Sequence, residues 1–435
     1  MVLRSEPQYY GTFAAFDYNR ARTEFLTEEE YRALERIYDK SADAEEISEF
    51  AGMHQNRCDN FLKHMLESRF IERREPNHGL NPPERTRVDP GLFNGFIVPF
   101  ISGPASVDVF ITSRCNLKCV HCFSAREEGF AAELSAEDLD SIFSQLEQLG
   151  VFEVRINGGE PFLHPEIEKI LLSLKERRFR KVVITNGTLL NEKLASLLKE
   201  SGTIPTVSID DSLEEEHDLF RGVDGSFKLA LRALRLLSKH GVQYGINCCL
   251  HKRNLKRYQE IISLVAKHGA SRIAFLDLKK IGRMKNHTEW IPSYKEYRKA
   301  MIRIMSTRSM NRKIDVSLDV FLHCQPLRES IHEAGRGYVT CQAGKTFLAI
   351  DGDGSTYPCN LVVSDPRWNM GNILNERLVD IWFSQKWSFF RGGVKVDDLK
   401  TCRECKSLKR CKDFYCRLLP YVTHGDPHGP NPRCI

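Results

Sequence analysis

The chain has 435 residues, and its 63 Lys and Arg exceed its 58 Asp and Glu by only five. This length predicts two or three domains. There is no apolar run of about 18 residues, so no membrane span is expected, and the N-terminal M-V-L-R-S-E-P-Q-Y-Y lacks the apolar core of a secretion signal. The charge surplus is too small to imply nucleic-acid binding. With 14 cysteines, such a chain indicates metal binding in a reducing cytoplasm rather than disulfides.

Residues 1–100 form the first predicted unit. The run L-T-E-E-E-Y-R-A-L-E-R-I-Y-D-K begins with Thr27 as a helix N-cap, and Glu30 completes a capping box. Two further helical patterns follow, A-D-A-E-E-I-S-E-F-A-G and H-Q-N-R-C-D-N-F-L-K-H-M-L-E-S, and then a short strand, F-I-E-R-R. Three helices and a β-wing are typical of a winged helix. The stretch N-H-G-L-N-P-P-E-R-T-R is typical of a linker.

Residues 101–310 alternate between short strands and helices. This pattern predicts an α/β fold with a parallel sheet and outer helices, and six units predict a partial (β/α)6 TIM-like barrel. In such barrels the chemistry lies at the carboxyl ends of the strands. Cys115, Gly158, Asn186 and Asp210 all follow predicted strands. The strands are V-D-V-F-I-T, E-V-R-I-N-G-G, K-V-V-I-T-N-G, T-V-S-I-D-D, Y-G-I-N-C-C-L and R-I-A-F-L-D-L.

The segment R-C-N-L-K-C-V-H-C places Cys115, Cys119 and Cys122 at C-x3-C-x2-C, directly after a strand. A structural zinc ion would need a fourth protein ligand, and the neighbouring His121 does not fit a zinc-finger spacing. A [4Fe–4S] cluster also takes four ligands, so three cysteines leave one iron open to another molecule. The spacing predicts a redox or catalytic cluster; zinc binding and simple packing are the alternatives.

Residues 311–435 are predicted to form a C-terminal Cys-rich iron–sulfur domain. Its last 95 residues contain seven thiols, and an eighth precedes them, which is enough for two four-thiolate clusters. One or two structural zinc ions are the alternative. The remaining Cys58, Cys248 and Cys249 are expected to pack in cores. The eight are Cys324, Cys341, Cys359, Cys402, Cys405, Cys411, Cys416 and Cys434.

These motifs resemble a known family. C-N-L-K-C-V-H-C resembles the radical S-adenosylmethionine (SAM) signature, and N-G-G-E-P at 157–161 resembles the family's GGE motif. T-N-G-T-L-L, S-I-D-D, F-R-G-V-D-G-S-F and C-Q-A-G-K-T-F-L-A-I-D-G-D-G-S-T-Y-P-C are similar, in this order, to the subgroup with a C-terminal SPASM domain. The resemblance covers about residues 105–435. Residues 1–100 resemble, less closely, the winged-helix elements that bind leader peptides in ribosomal-peptide maturases of the subtilosin and streptide type.

The resemblance implies that Cys115, Cys119 and Cys122 bind three irons and that the amine and carboxylate of SAM chelate the fourth. One-electron reduction would then release a 5′-deoxyadenosyl radical, with the protein supplying orientation and exclusion of water. The implied SAM contacts are Gly158 and Gly159 through close backbone approach, Glu160 through the methionyl amine, Ser208 and Asp210 through the ribose, Arg221 through the carboxylate, and Asn186 near either group.

The resemblance also divides the C-terminal ligands between two auxiliary clusters. Cys324, Cys341, Cys359 and Cys416 would bind the first, and Cys402, Cys405, Cys411 and Cys434 the second. Two positions depart from the family pattern. His121 replaces the usual aromatic residue before the third cysteine. Asn360 follows Cys359 where sulfatase-maturing relatives have an aspartate base, and an amide accepts no proton, which argues against a formylglycine-type oxidation.

Three functions follow from these features. The favoured one is modification of a precursor peptide, by a thioether or carbon–carbon crosslink, with a low-potential electron donor such as ferredoxin or flavodoxin. The second is the same chemistry on a small molecule such as a tetrapyrrole. The third is an iron–sulfur DNA-binding regulator, which Asp59 and Glu67 in the third helical pattern oppose. No general base is identified; His217, Tyr244 and Asp277 are inward-facing candidates.

Overall fold

The structure is a computed structural model that describes residues 2–6, 12–17, 22–39, 44–67, 100–123, 133–308, 314–318, 341–392, 394–405, 416–430 and 432. The predicted wing, the predicted linker, Cys324, Cys411 and Cys434 lie outside the described residues.

The N-terminal unit begins with a three-stranded antiparallel sheet that the sequence did not predict. Its strands are β1 (Val2–Glu6), β2 (Thr12–Asp17) and β3 (Arg22–Leu26), and β2 lies between the other two. The strands are short and contain charged residues, so the apolar alternation that marks a strand is weak. This sheet precedes the helices, whereas the one strand predicted from the sequence of this unit, F-I-E-R-R, follows them.

Three helices follow at the predicted places: α1 (Glu28–Asp39), α2 (Ala44–Ala51) and α3 (Gln55–Glu67). The capping box is formed, because the Thr27 N–H donates to Glu30 Oε2 at 2.8 Å and the Glu30 N–H to Thr27 Oγ1 at 3.3 Å. The helices enclose a small core of their own that includes Cys58, which is fully buried as expected. Its other buried members include Ala33, Leu34, Ile47, Phe61 and Met65.

Six parallel strands form the predicted partial barrel, each hydrogen-bonded to the next along the chain. They are β4 (Ser106–Phe110), β5 (Glu153–Asn157), β6 (Arg180–Thr185), β7 (Ile204–Ser208), β8 (Gly245–Leu250) and β9 (Arg272–Asp277). The helices between them are α4 (Ala136–Gln148), α5 (Ile167–Ser173), α6 (Glu192–Ser201), α7 (Glu214–Arg221), α8 (Ser226–Lys239) and α9 (Tyr258–Lys267). Ser135 caps α4 as predicted, with its side chain accepting from the Asp138 N–H.

The C-terminal part of the chain extends this sheet at both edges. Strand β10 (Asp315–Ser317) pairs with β9, and β11 (Phe347–Ile350) pairs in parallel with β4. Strands β12 (Ser355–Tyr357) and β13 (Gly371–Asn372) continue the second edge in antiparallel fashion. Backbone hydrogen bonds therefore tie the Cys-rich region to the barrel. The domain boundaries at 100 and 310 stay predictions.

The two faces of the barrel sheet differ in polarity. Val107 and Val109 of β4, like Val154 and Ile156 of β5, belong to the large apolar core shared with the outer helices. Side chains alternate between the faces of a strand, so Asp108 points to the opposite, inner face, where it is 2% exposed. The buried polar residues of the inner face also include Arg155, Ser208 and Asn247. The barrel interior is therefore suited to a polar ligand.

The remaining helices are α10 (Tyr294–Arg308), α11 (Leu378–Phe383), α12 (Lys400–Arg403) and α13 (Leu418–His424). Within the described ranges, no helix combines the length and the apolar character needed to cross a membrane.

Candidate active site

The cysteine loop, residues 112–123, follows β4 and is held by hydrogen bonds to the end of α7 and to the segment after β9. The N–H groups of Lys118 and Val120 donate to the carbonyls of Arg221 and Phe220, at 3.2 and 3.0 Å. From another direction, Arg283 donates its N–H to the Cys122 carbonyl at 3.1 Å and its Nη1 to the Cys119 carbonyl at 3.2 Å. The loop is therefore fixed by segments far away in the chain.

Gly158 and Gly159 follow β5 and lie against the same loop. A Cβ on Gly158 would lie 2.4 Å from the Thr112 carbonyl oxygen, and a Cβ on Gly159 would lie 2.3 Å from that of Arg114. The N–H groups of Gly159 and Glu160 donate to these two carbonyls, both at 2.8 Å. The sequence predicts that these glycines allow SAM to approach the backbone closely. In the structure, they lack room for a side chain because they lie against the backbone of the cysteine loop.

Two more glycines repeat this close contact on the other sides of the loop. A Cβ on Gly222, whose φ is +71°, would lie 2.5 Å from the Lys118 carbonyl oxygen. A Cβ on Gly282 would lie 2.3 Å from that of Cys122. Gly222 stands in the quoted motif F-R-G-V-D-G-S-F, but Gly282 was not singled out, although the I-G-R sequence after β9 carries a turn signal.

The three cysteines of the loop differ in burial: Cys115 is exposed as a whole residue, Cys122 is half-buried and Cys119 is buried. The protein atoms packed around the Cys115 thiol nevertheless shield it from water and raise its pKa to about 11, and the nearby Cys119, Glu160 and Cys122 add to this increase. Burial also raises the pKa of Cys119, although the Arg221 guanidinium, with Nη1 3.8 Å from Cys119 Sγ, opposes it. Burial and mutual repulsion therefore disfavour the thiolate form in the metal-free protein. A bound metal would stabilise the thiolates, so this arrangement suits a metal site.

This donor set fits a cluster better than a single ion. Among the described residues, no three Cys, His, Asp or Glu side chains are arranged to hold one metal ion together. A [4Fe–4S] cluster does not require such convergence, because each thiolate binds a different iron.

Glu160 is fully buried beside the cysteine loop. Its Oε1 accepts from Thr185 Oγ1 at 2.7 Å and from the Phe162 N–H at 3.3 Å, and its Oε2 accepts from the Asn186 N–H at 2.7 Å. Burial raises the pKa of this carboxyl to about 7, against these hydrogen bonds and the more distant Arg221, which lower it. A buried carboxylate that accepts hydrogen bonds suits an added N–H donor, as predicted for the methionyl amine of SAM.

Three of the other predicted SAM contacts, Asn186, Asp210 and Arg221, have partners within the protein. Arg221 Nε forms an ion pair with Asp210 Oδ2 at 2.6 Å, and the Cys249 N–H donates to Asp210 Oδ1 at 2.8 Å. The Asn186 side chain caps its own loop, since its Oδ1 accepts from the Thr188 N–H at 2.9 Å. Ser208 is 9% exposed on the inner face of β7. Their roles toward SAM stay predictions.

Asn116 lies between the first two cysteines and was missed by the sequence analysis. Its Nδ2 donates to Thr188 Oγ1 at 2.8 Å, and its Oδ1 accepts from Asn186 Nδ2 at 3.0 Å. These bonds connect the cysteine loop to the end of β6. A polar residue at this spacing gives no sequence signal of its own, because its partners lie about 70 residues away.

The structure brings together three of the four cysteines predicted for the first auxiliary cluster. The Cys416 thiol is hydrogen-bonded to Cys341, and this contact, burial and the nearby Cys359 raise its pKa well above the usual range. Burial raises the pKa of Cys359 to about 12, and Cys341 adds to the increase. For the second predicted cluster, Cys402 and Cys405 are neighbours joined by a backbone hydrogen bond of 3.0 Å.

Asn360 connects this auxiliary region to the barrel. Its Nδ2 donates to Asp108 Oδ2, while Asp108 Oδ1 forms an ion pair with Arg155 Nε at 2.5 Å. Asn360 Oδ1 is buried and has no hydrogen-bond partner in the described structure. The sequence signal for this site was present but unused: Asp108 is a charged residue inside the otherwise apolar strand segment S-V-D-V-F.

The three base candidates differ in their surroundings. Burial lowers the pKa of His217 to about 3, and its Nδ1 accepts from the Asp210 N–H at 3.2 Å. The Tyr244 hydroxyl is bonded to Ser238 Oγ and to a backbone carbonyl. Asp277 lies 3.4 Å from Lys279 Nζ. His217 and Tyr244 therefore have structural partners.

Residues 109–265 match the family model of the Radical SAM superfamily, and residues 341–406 match that of SPASM, an iron–sulfur cluster-binding domain. Fe-coproporphyrin III synthase of Methanosarcina barkeri is 27% identical over 74% of this chain and 86% of its own length. Mycofactocin maturase MftC of Mycobacterium ulcerans is 27% identical over 77% of this chain and 89% of its own length. The solved structure of Streptococcus suis SuiB bound to precursor peptide SuiA superposes with a TM-score of 0.75 at 16% identity, covering 100% of this chain and 98% of SuiB.

The chain therefore carries a radical SAM domain and a C-terminal SPASM domain. It is a radical SAM enzyme, and its fold is similar to that of Streptococcus suis SuiB over its whole length. Its two domains imply [4Fe–4S] clusters and SAM as cofactors. When bound, they supply the 5′-deoxyadenosyl radical by reductive cleavage of SAM. The protein holds the cysteine loop rigid and provides the buried Glu160 carboxylate.

Proposed function

We propose that this enzyme abstracts a hydrogen atom from a residue of a ribosomally made precursor peptide and forms a thioether or carbon–carbon crosslink. The observation that carries this proposal is the end-to-end similarity to SuiB, whose solved structure contains a precursor peptide. That similarity includes the N-terminal unit. By contrast, the likeness to anSMEcpe bound to SAM, with a TM-score of 0.55, covers 72% of this chain.

The N-terminal unit offers a place for a leader peptide. In the described sheet β1 and β3 are the outer strands, because β2 is the one paired on both sides. An extended peptide can add to such an edge through main-chain hydrogen bonds. We propose that the leader binds residues 1–100 and that the core segment of the peptide reaches the polar barrel interior. A ferredoxin or flavodoxin would supply the electron that SAM cleavage needs.

Removal of residues 1–99 tests this division of roles. The truncated enzyme should still cleave SAM to 5′-deoxyadenosine with dithionite, because the cysteine loop and barrel remain. It should no longer modify a full-length precursor peptide encoded beside its gene. A leaderless peptide given to the intact enzyme is the matched control and should also react poorly. Unchanged modification by the truncated enzyme, measured by mass spectrometry, would show that leader binding resides elsewhere.

A tetrapyrrole precursor is the second candidate substrate. It is favoured by the relatives named Fe-coproporphyrin III synthase and AdoMet-dependent heme synthase, the latter 26% identical over 78% of this chain. The two candidates separate in one assay. If Fe-coproporphyrin III, and not the peptide, accelerates SAM cleavage and is itself converted, the small-molecule function replaces the peptide function.

A further inference from the structure

Arg417 follows directly after Cys416 and is 1% exposed. Its Nη1 donates to the carbonyls of Gly429 at 2.9 Å and Pro427 at 3.4 Å. Its Nε and Nη2 are buried and have no hydrogen-bond partner in the described structure. A buried guanidinium without a counter-ion is costly, and each N–H group left without an acceptor adds to that cost.

Burial lowers the pKa of the Arg417 guanidinium, and negative charge on the groups around it would raise that pKa. These groups are mainly thiols, Cys402, Cys416 and Cys341, together with the Asp426 carboxylate. These cysteines come from both predicted auxiliary groups: Cys341 and Cys416 from the first, Cys402 from the second. The protonated thiols of the metal-free chain carry no charge. Thiolates bound to iron would provide the missing negative charge and sulfur acceptors.

We infer that Arg417 is the shared counter-ion of the two auxiliary cysteine groups, with its unpartnered Nε and Nη2 donating to thiolate sulfur when iron is bound. It is a positioning residue, and the inference rests on the predicted ligand roles of these cysteines but not on the peptide substrate. A planar guanidinium carries one positive charge and can donate hydrogen bonds in two directions, so it is suited to a position between two anionic centres. A fixed cation there also makes reduction of the neighbouring iron easier, since reduction adds negative charge.

The test uses the full chain with Cys115, Cys119 and Cys122 replaced by Ala, so that only auxiliary iron remains. Arg417→Met keeps the side-chain length and removes the charge. The iron-free form of this variant should melt no lower than its parent, because an uncompensated buried cation is gone. Its iron-loaded form should bind less iron, and its auxiliary centres should be about tenfold harder to reduce, a shift of about 59 mV toward negative potential for a one-electron couple.

Two further variants separate charge from packing. Arg417→Lys keeps the charge and should recover most of the midpoint potential, measured by an EPR-monitored redox titration. Arg391→Met is the matched control. Arg391 is also 1% exposed, but its guanidinium lies 3.4 Å from the centroid of the Phe100 ring, and burial lowers its pKa. Its replacement should lower the melting temperature of both forms and leave the potential unchanged.

The inference is wrong if Arg417→Met lowers the melting temperature of the iron-free and iron-loaded forms alike and leaves the auxiliary potential in place. Arg417 would then serve only to anchor Pro427 and Gly429. It is equally wrong if Arg417→Lys shifts the potential as far as Arg417→Met. Because these measurements involve no substrate, they stand whether or not peptide modification is found.

Discussion

The cysteine loop after β4 and the C-terminal cysteine group differ in how far apart in the chain their thiols lie. The loop places three thiols within eight residues, and backbone contacts with segments after β5, α7 and β9 fix its shape. In the C-terminal group, Cys341, Cys359 and Cys416 come from separate segments and meet beside the buried basic side chains of Lys345 and Arg417. A local loop is shaped by backbone fit, whereas a dispersed group depends on the fold of a whole domain.

The largest expected effect separates the two regions by function. Cys119→Ala should reduce 5′-deoxyadenosine formation to the background level, because a ligand of the SAM-binding cluster is lost. Cys359→Ala should still release the nucleoside but leave the substrate unmodified. Liquid chromatography of anaerobic reactions with dithionite measures both products. If Cys359→Ala also abolished SAM cleavage, the two regions would not be independent.

Backbone fit of the cysteine loop is tested by Gly159→Ala. The added Cβ would meet the Arg114 carbonyl oxygen at 2.3 Å, so the loop must move. We expect a loss of about 1–3 kcal/mol in the free energy of unfolding and less iron bound after reconstitution. Gly245→Ala is the control, because its Cβ would find the nearest atom, Thr206 Oγ1, at 3.6 Å. Equal melting temperatures and iron contents in the two variants would contradict a backbone clamp on this loop.

The pH dependence of SAM binding tests Glu160. Burial raises its pKa from 4.5 to about 7 in the folded protein, so the SAM-free protein binds this proton more tightly than the unfolded chain. Its stability should fall by roughly 3 kcal/mol as pH rises through this window. An N–H group of the methionyl amine that donates to the carboxylate reverses the preference, because it favours the ionised form, so SAM should bind more tightly above about pH 7.

Glu160→Gln should remove both effects: SAM affinity becomes weak and independent of pH, and the fall in stability across the window disappears. Isothermal titration calorimetry and thermal melts at several pH values measure them. A wild-type affinity that stays constant between about pH 6 and about pH 8 would place the SAM amine away from Glu160.

A further expected effect on stability concerns the hydrogen bond that links the two regions. Asn360→Asp would set a second carboxylate against Asp108, which now accepts a hydrogen bond from the Asn360 amide. Loss of this bond and like-charge repulsion should cost about 1–3 kcal/mol near neutral pH and less in acid, where one carboxyl is protonated. Chemical denaturation at two pH values measures this difference. A destabilisation that does not change with pH would exclude charge repulsion as its cause.

The sequence by itself determined the class of chemistry. The C-x3-C-x2-C spacing, the N-G-G-E-P segment and the strand–helix alternation are local patterns, because metal-ligand spacing and helix or strand periodicity are set by neighbouring residues. They were sufficient to predict the six parallel strands and the radical SAM and SPASM assignments. The three N-terminal strands were missed, because short charged strands carry little periodicity.

Only the tertiary structure decided which residues meet. Asn116 with Asn186, Asn360 with Asp108, and Gly282 with Cys122 are contacts between segments far apart in the chain. In the same structure, Gly158 and Gly159 have no room for a side chain, and Arg221 forms an ion pair with Asp210. Long-range pairing depends on how strands and loops are stacked in the whole domain, and no local pattern encodes it.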